Sequence, residues 1–447
     1  MRVVWQTLGQ YRDLRLVLAA GLVSLTGDWI LQVGVAYHVW VITGSTLASA
    51  TVLVASFVPQ VLLGSVAGVF VDRWDRKRTM VITNLLQAVG LLPLVLVDSS
   101  SRVWLVYVVM LWGSCVAQFF IPAEQALVPL LVPDDRLVTT NALNGQTRDV
   151  ARLVGSAVGG AVVVAGGMTA LALADVASFV GAAALIVMVA RPGGASVRAA
   201  GADRPESLGH RVRMLAGEWA DGVRVATQRR VLRVIFVFLL ITSTGEGIMG
   251  TLFAPFVRSS IHGTGQEYGL IVSVQAIGGI LGGLVAASIG DRARAGRLFG
   301  WGAVAFGAID FVMFVYPIAY VAVWPAAVCM IAVGLPGALL LAGVMTLLQR
   351  NTDDTHRGRV FGALGAVEGV AAVIGAVVAG VLGGLVGIIP VLATQGAGYL
   401  VAGVGVVVAL RDEPDLPAAL LESQVAGGVP SGPTGPTVQE AGGTSTS

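Results

Sequence analysis

Hydrophobic residues in this chain run in long stretches, without the narrow 3.6-residue stripe or strict alternation of half-buried elements. Twelve segments approach or exceed the roughly 20 apolar residues that a membrane-spanning helix needs. They are Leu16–Thr43, Leu47–Val71, Thr79–Val97, Val103–Phe120, Ala142–Gly166, Met168–Ala190, Val231–Val257, Gly269–Ile289, Leu298–Tyr316, Ala319–Leu348, Val360–Leu385 and Gly387–Leu410. Polar residues collect between them. The longest polar interruption, residues 192–230, separates six spans from six and contains a basic amphipathic piece, Leu208 to Val225, suited to lying along a membrane interface. After Leu410 the chain turns acidic, then rich in Gly, Pro, Ser and Thr, with too little apolar surface to fold. The pattern predicts an all-α integral membrane protein of twelve transmembrane helices. Residues 1–191 form an N-terminal six-helix bundle, 192–230 a linker, 231–410 a C-terminal six-helix bundle and 411–447 a disordered tail.

Composition agrees with that class. The 447 residues are 55% hydrophobic and 12% charged, about half the charged fraction of a soluble domain. Composition gives poor support to a soluble enzyme, a nucleic-acid binder or a disordered scaffold, and the net charge of +2 asks for no acidic partner. The positions of the charges carry more information. All 28 basic residues except Lys77 are arginines, and with heavy Ala, Val and Gly usage this points to a GC-rich bacterial genome. Arg2, Arg12 and Arg15 precede the first span, while Arg73, Arg76, Lys77 and Arg78 follow the second. Further arginines fill the loop after the sixth span, and others follow the eighth, tenth and twelfth; only Arg102 and Arg258 fall on the other side. By the positive-inside rule both termini are cytoplasmic, which places the chain in the inner membrane with many passes. No cleavable signal peptide is expected, because the first apolar run is too long for one. Cys115 and Cys329 lie inside apolar runs and read as small hydrophobes, not as a disulfide.

The two halves echo each other. Thr26-Gly27-Asp28 matches Thr244-Gly245-Glu246 at an offset of 218, and Asp72-Arg73 matches Asp291-Arg292 at 219. Asp149 pairs with Glu368 at 219, and Gly155 and Gly160 pair with Gly375 and Gly380 at 220. A parallel duplication of six-span units is the build of many secondary transporters, whose substrate site lies between the halves near the midplane.

Acids inside the spans are the candidate chemistry. Asp28 lies twelve residues beyond Leu16, about 18 Å into the span, and Glu246 occupies the matching place in the second half. A charge at mid-depth is costly and marks a cavity, a partner or a proton site; burial of a carboxylic acid favours its protonated form. The competing reading is a packing acid neutralised by a neighbour. Asp149, Glu368 and Asp310 are further proton-coupling candidates. Arg152 follows Asp149 by three residues, so the two can pair on one helix face, with Arg148 beside them. Asp72, Arg73, Arg76, Asp291 and Arg292 are candidates for a charge latch that forms in one conformation, or for a topology signal alone. The histidines show no metal-ligand spacing and no phosphate-binding loop is present, so neither a metal, another cofactor nor ATP is expected.

The stretch from Gly64 to Arg78, with Asp72-Arg73-Trp74-Asp75-Arg76-Lys77-Arg78, resembles the loop signature of the major facilitator superfamily; Asp75 replaces a usual glycine, and the second copy, Gly290-Asp291-Arg292-Ala293-Arg294, is degenerate. Pro122-Ala123-Glu124-Gln125 with Asn141-Ala142-Leu143-Asn144, and Arg357-Gly358-Arg359-Val360-Phe361-Gly362, resemble the branch of bacterial macrolide-efflux proteins and enterobactin exporters. Gly155, Gly159 and Gly160 resemble the glycine-rich antiporter motif, without its usual Gly-Pro pair; simple helix packing accounts for them equally. The resemblance implies the major facilitator fold, two six-helix bundles rocking about a central cavity, and export of an amphipathic small molecule in exchange for protons by a monomer in the bilayer. Export of one dedicated metabolite is the alternative. A membrane receptor or enzyme is a more distant one, because no clustered catalytic set lies in the spans.

Overall fold

The computed structural model describes residues 8–71, 74–133, 136–190, 229–289, 294–352 and 357–411. The expected interfacial helix in the 192–230 linker, the expected disorder of the 411–447 tail, and Asp72, Arg73, Asp291 and Arg292 lie outside these residues, apart from the linker's last two residues and Arg411.

Among the described residues the chain is helical and carries no strand. In chain order the helices are α1 (Arg12–Thr43), α2 (Thr46–Val71), α3 (Arg76–Leu91), α4 (Trp104–Leu127), α5 and α6 (together Leu137–Val187), α7 (Arg230–Pro255), α8 (Gly265–Ile289), α9 (Ala295–Val315), α10 (Trp324–Asn351), α11 (Arg357–Leu385) and α12 (Ile388–Ala409). The stretch holding α5 and α6 has 51 residues, about 77 Å as one rod and more than twice the thickness of a bilayer core. It breaks at Gly166 and Gly167, where Gly167 takes φ +58 and ψ −149, a conformation that a Cβ resists. Eleven continuous apolar stretches therefore make twelve crossings. Gly44, left-handed at φ +60, ends α1 by donating its N–H to the Trp40 carbonyl at 2.8 Å.

Boundaries depart from the hydropathy reading where polar or proline residues are absorbed. Helix α4 runs through Pro122 to Leu127, seven residues beyond the expected end at Phe120. Helix α10 starts at Trp324 instead of Ala319, because Tyr316–Ile318 forms a 3-10 turn around Pro317.

Packing repeats with the sequence. Helix α2 lies on α4, α3 on α4 and α6, and α1 on the α5–α6 pair; one repeat later α8 lies on α10, α9 on α10 and α12, and α7 on α11 and α12. The main contacts joining the halves are α5 on α8 and α2 on α11, which the repeat exchanges with each other. These junctions close one face of the molecule. Trp40 Nε1 donates to Ser259 Oγ at 3.1 Å, Thr46 Oγ1 donates to the Gly380 carbonyl at 2.7 Å, and the Tyr37 and Tyr268 rings stack with centroids 6.2 Å apart. A Cβ on Gly160 of α5 would lie 3.0 Å from the Gly269 Cα of α8, so the two backbones nearly touch there. All of these groups sit at the ends of α1, α5, α7 and α11 or the starts of α2 and α8. At the other end of α5, Asn141, Ala142, Gly145, Gln146, Arg148, Asp149 and Val150 are exposed. That face is open.

Candidate transport site

Asp28 sits half-way along α1, and Glu246 occupies the same place in α7. Both residues keep accessible surface although helices surround them, and Glu246 lines an interior cavity. The glycine before each acid brings its helix close to a neighbour. At Gly27 a Cβ would lie 2.6 Å from Ser178 Cβ of α6; at Gly245 it would lie 2.8 Å from Gln395 Cγ of α12. Each acid thereby meets a polar position of the helix that ends its own half. Asp175 of α6 is buried, interacts electrostatically with Asp28, and accepts a 2.9 Å hydrogen bond from Ser178 Oγ. Its other carboxylate oxygen is buried with no hydrogen-bond partner.

The second half builds a fuller network. The buried Tyr399 hydroxyl of α12 donates to Glu246 Oε1 at 2.6 Å. One turn earlier on α12, Gln395 Nε2 donates to Asp310 Oδ2 of α9 at 2.9 Å, both residues being buried. Phe306 holds the Tyr399 ring at a centroid distance of 4.5 Å. Glu246 and Asp310, with Arg152, Gln275, Tyr268 and Phe253, line a cavity of about 180 Å³.

Arg152 is the cation of this site, and it reaches partners beyond the Asp149 that its spacing suggested. Its Nη2 donates to Gln275 Oε1 of α8, its guanidinium lies 5.4 Å from the centre of the Trp29 ring of α1, and it interacts electrostatically with Glu246. Sequence spacing allowed a pair with Asp149; Asp149 is exposed on the open face and, like Glu246, acts on Arg152 electrostatically. The arginine lies nearly a turn deeper, where its long side chain finds an acceptor in the second half. The ion pair at that end of α5 belongs to Arg148, which meets Glu124 of α4 at 3.5 Å.

The remaining candidates are scattered. Glu368 is exposed on α11, the repeat counterpart of Asp149. Arg76 opens α3 on the arginine-rich side, after the Asp75 cap that accepts from the Arg78 N–H at 2.8 Å. Gly155 and Gly159 pack α5 on α1, where added Cβ atoms would lie 2.6 Å from Trp29 Cβ and from the Ile30 carbonyl; Gly160 faces α8. Sequence reasoning missed Gln275, Tyr399 and Gln395. The available signal was an amide or phenol in an otherwise apolar span: Gln395 and Tyr399 are four residues apart on one helix face, and Gln395 stands 220 residues after Asp175. Among the described residues no cluster of His, Cys, Asp or Glu is placed to hold a metal ion. The arrangement suits proton exchange at a carboxylate and binding of a polar or cationic group beside aromatic walls.

Comparison with known proteins gives these features their context. Macrolide efflux protein A of Streptococcus pyogenes is 24% identical over 372 residues, covering 81% of this chain and 87% of its own. Multidrug efflux pump Tap of Mycolicibacterium fortuitum is 25% identical over 379 residues, covering 82% and 88%. In fold, the crystal structure of the nucleoside transporter NupG superposes with a TM-score of 0.70 at 13% identity over 90% of this chain and 100% of that one. A bacterial homologue of the iron transporter ferroportin, in an inward-facing state, superposes with 0.69 at 16% identity over 90% and 99%. The family model described as transmembrane secretion effector matches residues 8–423. With its twelve crossings and duplicated halves, the chain belongs to that family of major facilitator transporters, which are not enzymes.

Proposed function

We propose that this transporter exports amphipathic small molecules in exchange for protons, by alternating access of a cavity between its two six-helix halves. With both termini cytoplasmic, the sealed face is extracellular and the open face cytoplasmic, the state that loads substrate from inside a bacterial cell. The observation that carries the reading is Glu246: a water-accessible acid at mid-depth, hydrogen-bonded by Tyr399 and acted on by Arg152 from the other half. Protonation of Glu246 removes its attraction to Arg152, so the proton and this contact between the halves are alternatives at one site. Asp28 with Asp175 supplies the counterpart in the first half. Aromatic and apolar walls, Phe253, Phe306, Met249 and Met330, suit an amphipathic cargo, and the efflux names of the relatives support the outward direction. Both halves of the site come from one chain, so a monomer suffices.

The test is accumulation of a panel of macrolides and lipophilic cations in a host lacking its own pumps, with and without an uncoupler. Lower accumulation of at least one compound, abolished by the uncoupler, is expected. Accumulation equal to vector controls for every compound, or exclusion that survives the uncoupler, overturns the reading.

A further inference from the structure

Two grooves on the outer surface of the bundle have no part in the central cavity, and they are repeats of each other. The first, about 750 Å³, lies between α3 and α4 and includes Arg78, Ile82, Leu86, Trp112 and Val116. The second, about 740 Å³, lies mainly between α9 and α10, with α8 at one side, and includes Arg297, Trp301, Ala305, Ile331 and Leu335. Each residue of the second set stands 219 positions after its counterpart in the first. The duplication therefore preserved a groove with an arginine at the same end twice, although the apolar residues beneath it changed.

We propose that each groove holds one anionic phospholipid from the leaflet on the arginine-rich side. Arg78 and Arg297 are exposed in the first turns of α3 and α9, and neither guanidinium has a hydrogen-bond or ion-pair partner among the described residues. Lys77 is engaged elsewhere, donating to the Val189 carbonyl at 2.6 Å. Below the arginine the second groove runs to Ile309, twelve residues or about 18 Å along α9, which is the depth of one leaflet of a core of roughly 30 Å. That depth and the apolar walls take an acyl chain. A guanidinium binds a phosphate through paired N–H donors. A zwitterionic headgroup brings its own cation toward the same arginine, whereas an anionic one does not. Trp74 stacks on Phe119 at 5.8 Å at the mouth of the first groove, and Trp301 is exposed in the second, placements typical of the membrane interface. The linings differ by one acid: Asp75 lines the first groove beside Arg78, whereas among the described residues no acid lines the second. The second groove is therefore the tighter one. This assignment does not depend on what the central cavity transports.

The experiment is native mass spectrometry of the full-length protein titrated with phosphatidylglycerol, and in parallel with phosphatidylcholine. Wild type is expected to retain two phosphatidylglycerol molecules in two affinity steps, with phosphatidylcholine markedly weaker. Arg297→Gln removes the tighter step and Arg78→Gln the weaker, each by about tenfold or more in affinity, the scale of a charge-assisted hydrogen bond. Arg297→Lys retains most of the binding. Ala305→Trp, which fills the second groove without altering its charge, also removes the tighter step. Two phosphatidylglycerol molecules retained at wild-type affinity by the Arg78→Gln/Arg297→Gln double variant overturn the proposal, as does equal retention of phosphatidylcholine by wild type. Thermal melts that match wild type confirm that loss of lipid is not loss of fold.

Discussion

Replacing Gln275 by Leu removes a side-chain hydrogen bond that, among the described residues, ties the halves together at the centre of the site. Arg152 makes two contacts of different kind. Its stacking over Trp29 stays within the first half and is unaffected when the halves move, whereas its bond to Gln275 crosses from α5 to α8. Together with the attraction of Arg152 to Glu246, the second contact distinguishes one conformation from the other. A hydrogen bond to a charged group stabilises by about 1.5–3 kcal/mol, and 1.4 kcal/mol is a factor of ten. Gln275→Leu should therefore shift the equilibrium away from the sealed state by roughly tenfold to 150-fold. Spin labels at Val41 of α1 and Arg258 beyond α7, both exposed on the sealed face, report that equilibrium by double electron–electron resonance in a Cys115→Ala/Cys329→Ala background. Wild type is expected to give a dominant short distance, and Gln275→Leu a longer population enriched by at least tenfold in the ratio. A ratio that changes less than twofold refutes the view that this bond is specific to the sealed state.

Three further outcomes follow from the same geometry. Tyr399→Phe removes the 2.6 Å bond to Glu246, worth about 1.5–3 kcal/mol if the acid is charged, so efflux should fall about tenfold while membrane insertion is retained; efflux at the wild-type rate counts against a role for this pair. Gly160→Val places a branched side chain against the Gly269 backbone, so it should hold the sealed face apart and abolish export while membrane insertion is retained, as read by the same spin labels. Asp310→Leu leaves the buried Gln395 amide without its acceptor, at a cost of about 1–3 kcal/mol, read as a lowered melting temperature.

The bilayer made much of this fold legible. Each crossing must satisfy its own backbone in an apolar solvent, so twelve long apolar runs imply twelve helices, and even the close junction of α5 and α6 shows in Gly166-Gly167. The repeat offset carried further than span counting: it placed Asp28 and Glu246 at equivalent depth, and it relates Asp175 to Gln395. Arg152 shows the limit. Its neighbours in sequence suggested Asp149, which does act on it electrostatically, but its hydrogen-bond partner Gln275 lies 123 residues away on α8, where no local spacing points to it. Tyr399 was equally hidden, because a phenol in an apolar span reads as ordinary aromatic packing until its partner is known.

The central claim is that Asp28 and Glu246 couple proton entry to export. Proteoliposomes containing the purified protein, with a transported compound and an imposed pH gradient, test it directly when Asp28→Asn and Glu246→Gln are compared with wild type. Each substitution keeps shape and hydrogen-bonding capacity and removes only the titratable group; Tyr399 can still donate to the amide oxygen at position 246. Wild type is expected to move the compound against its gradient when protons flow the other way, and the neutral variants to bind and exchange it without uphill movement, with the larger defect at Asp28. Uphill transport of wild-type magnitude by both variants contradicts the claim.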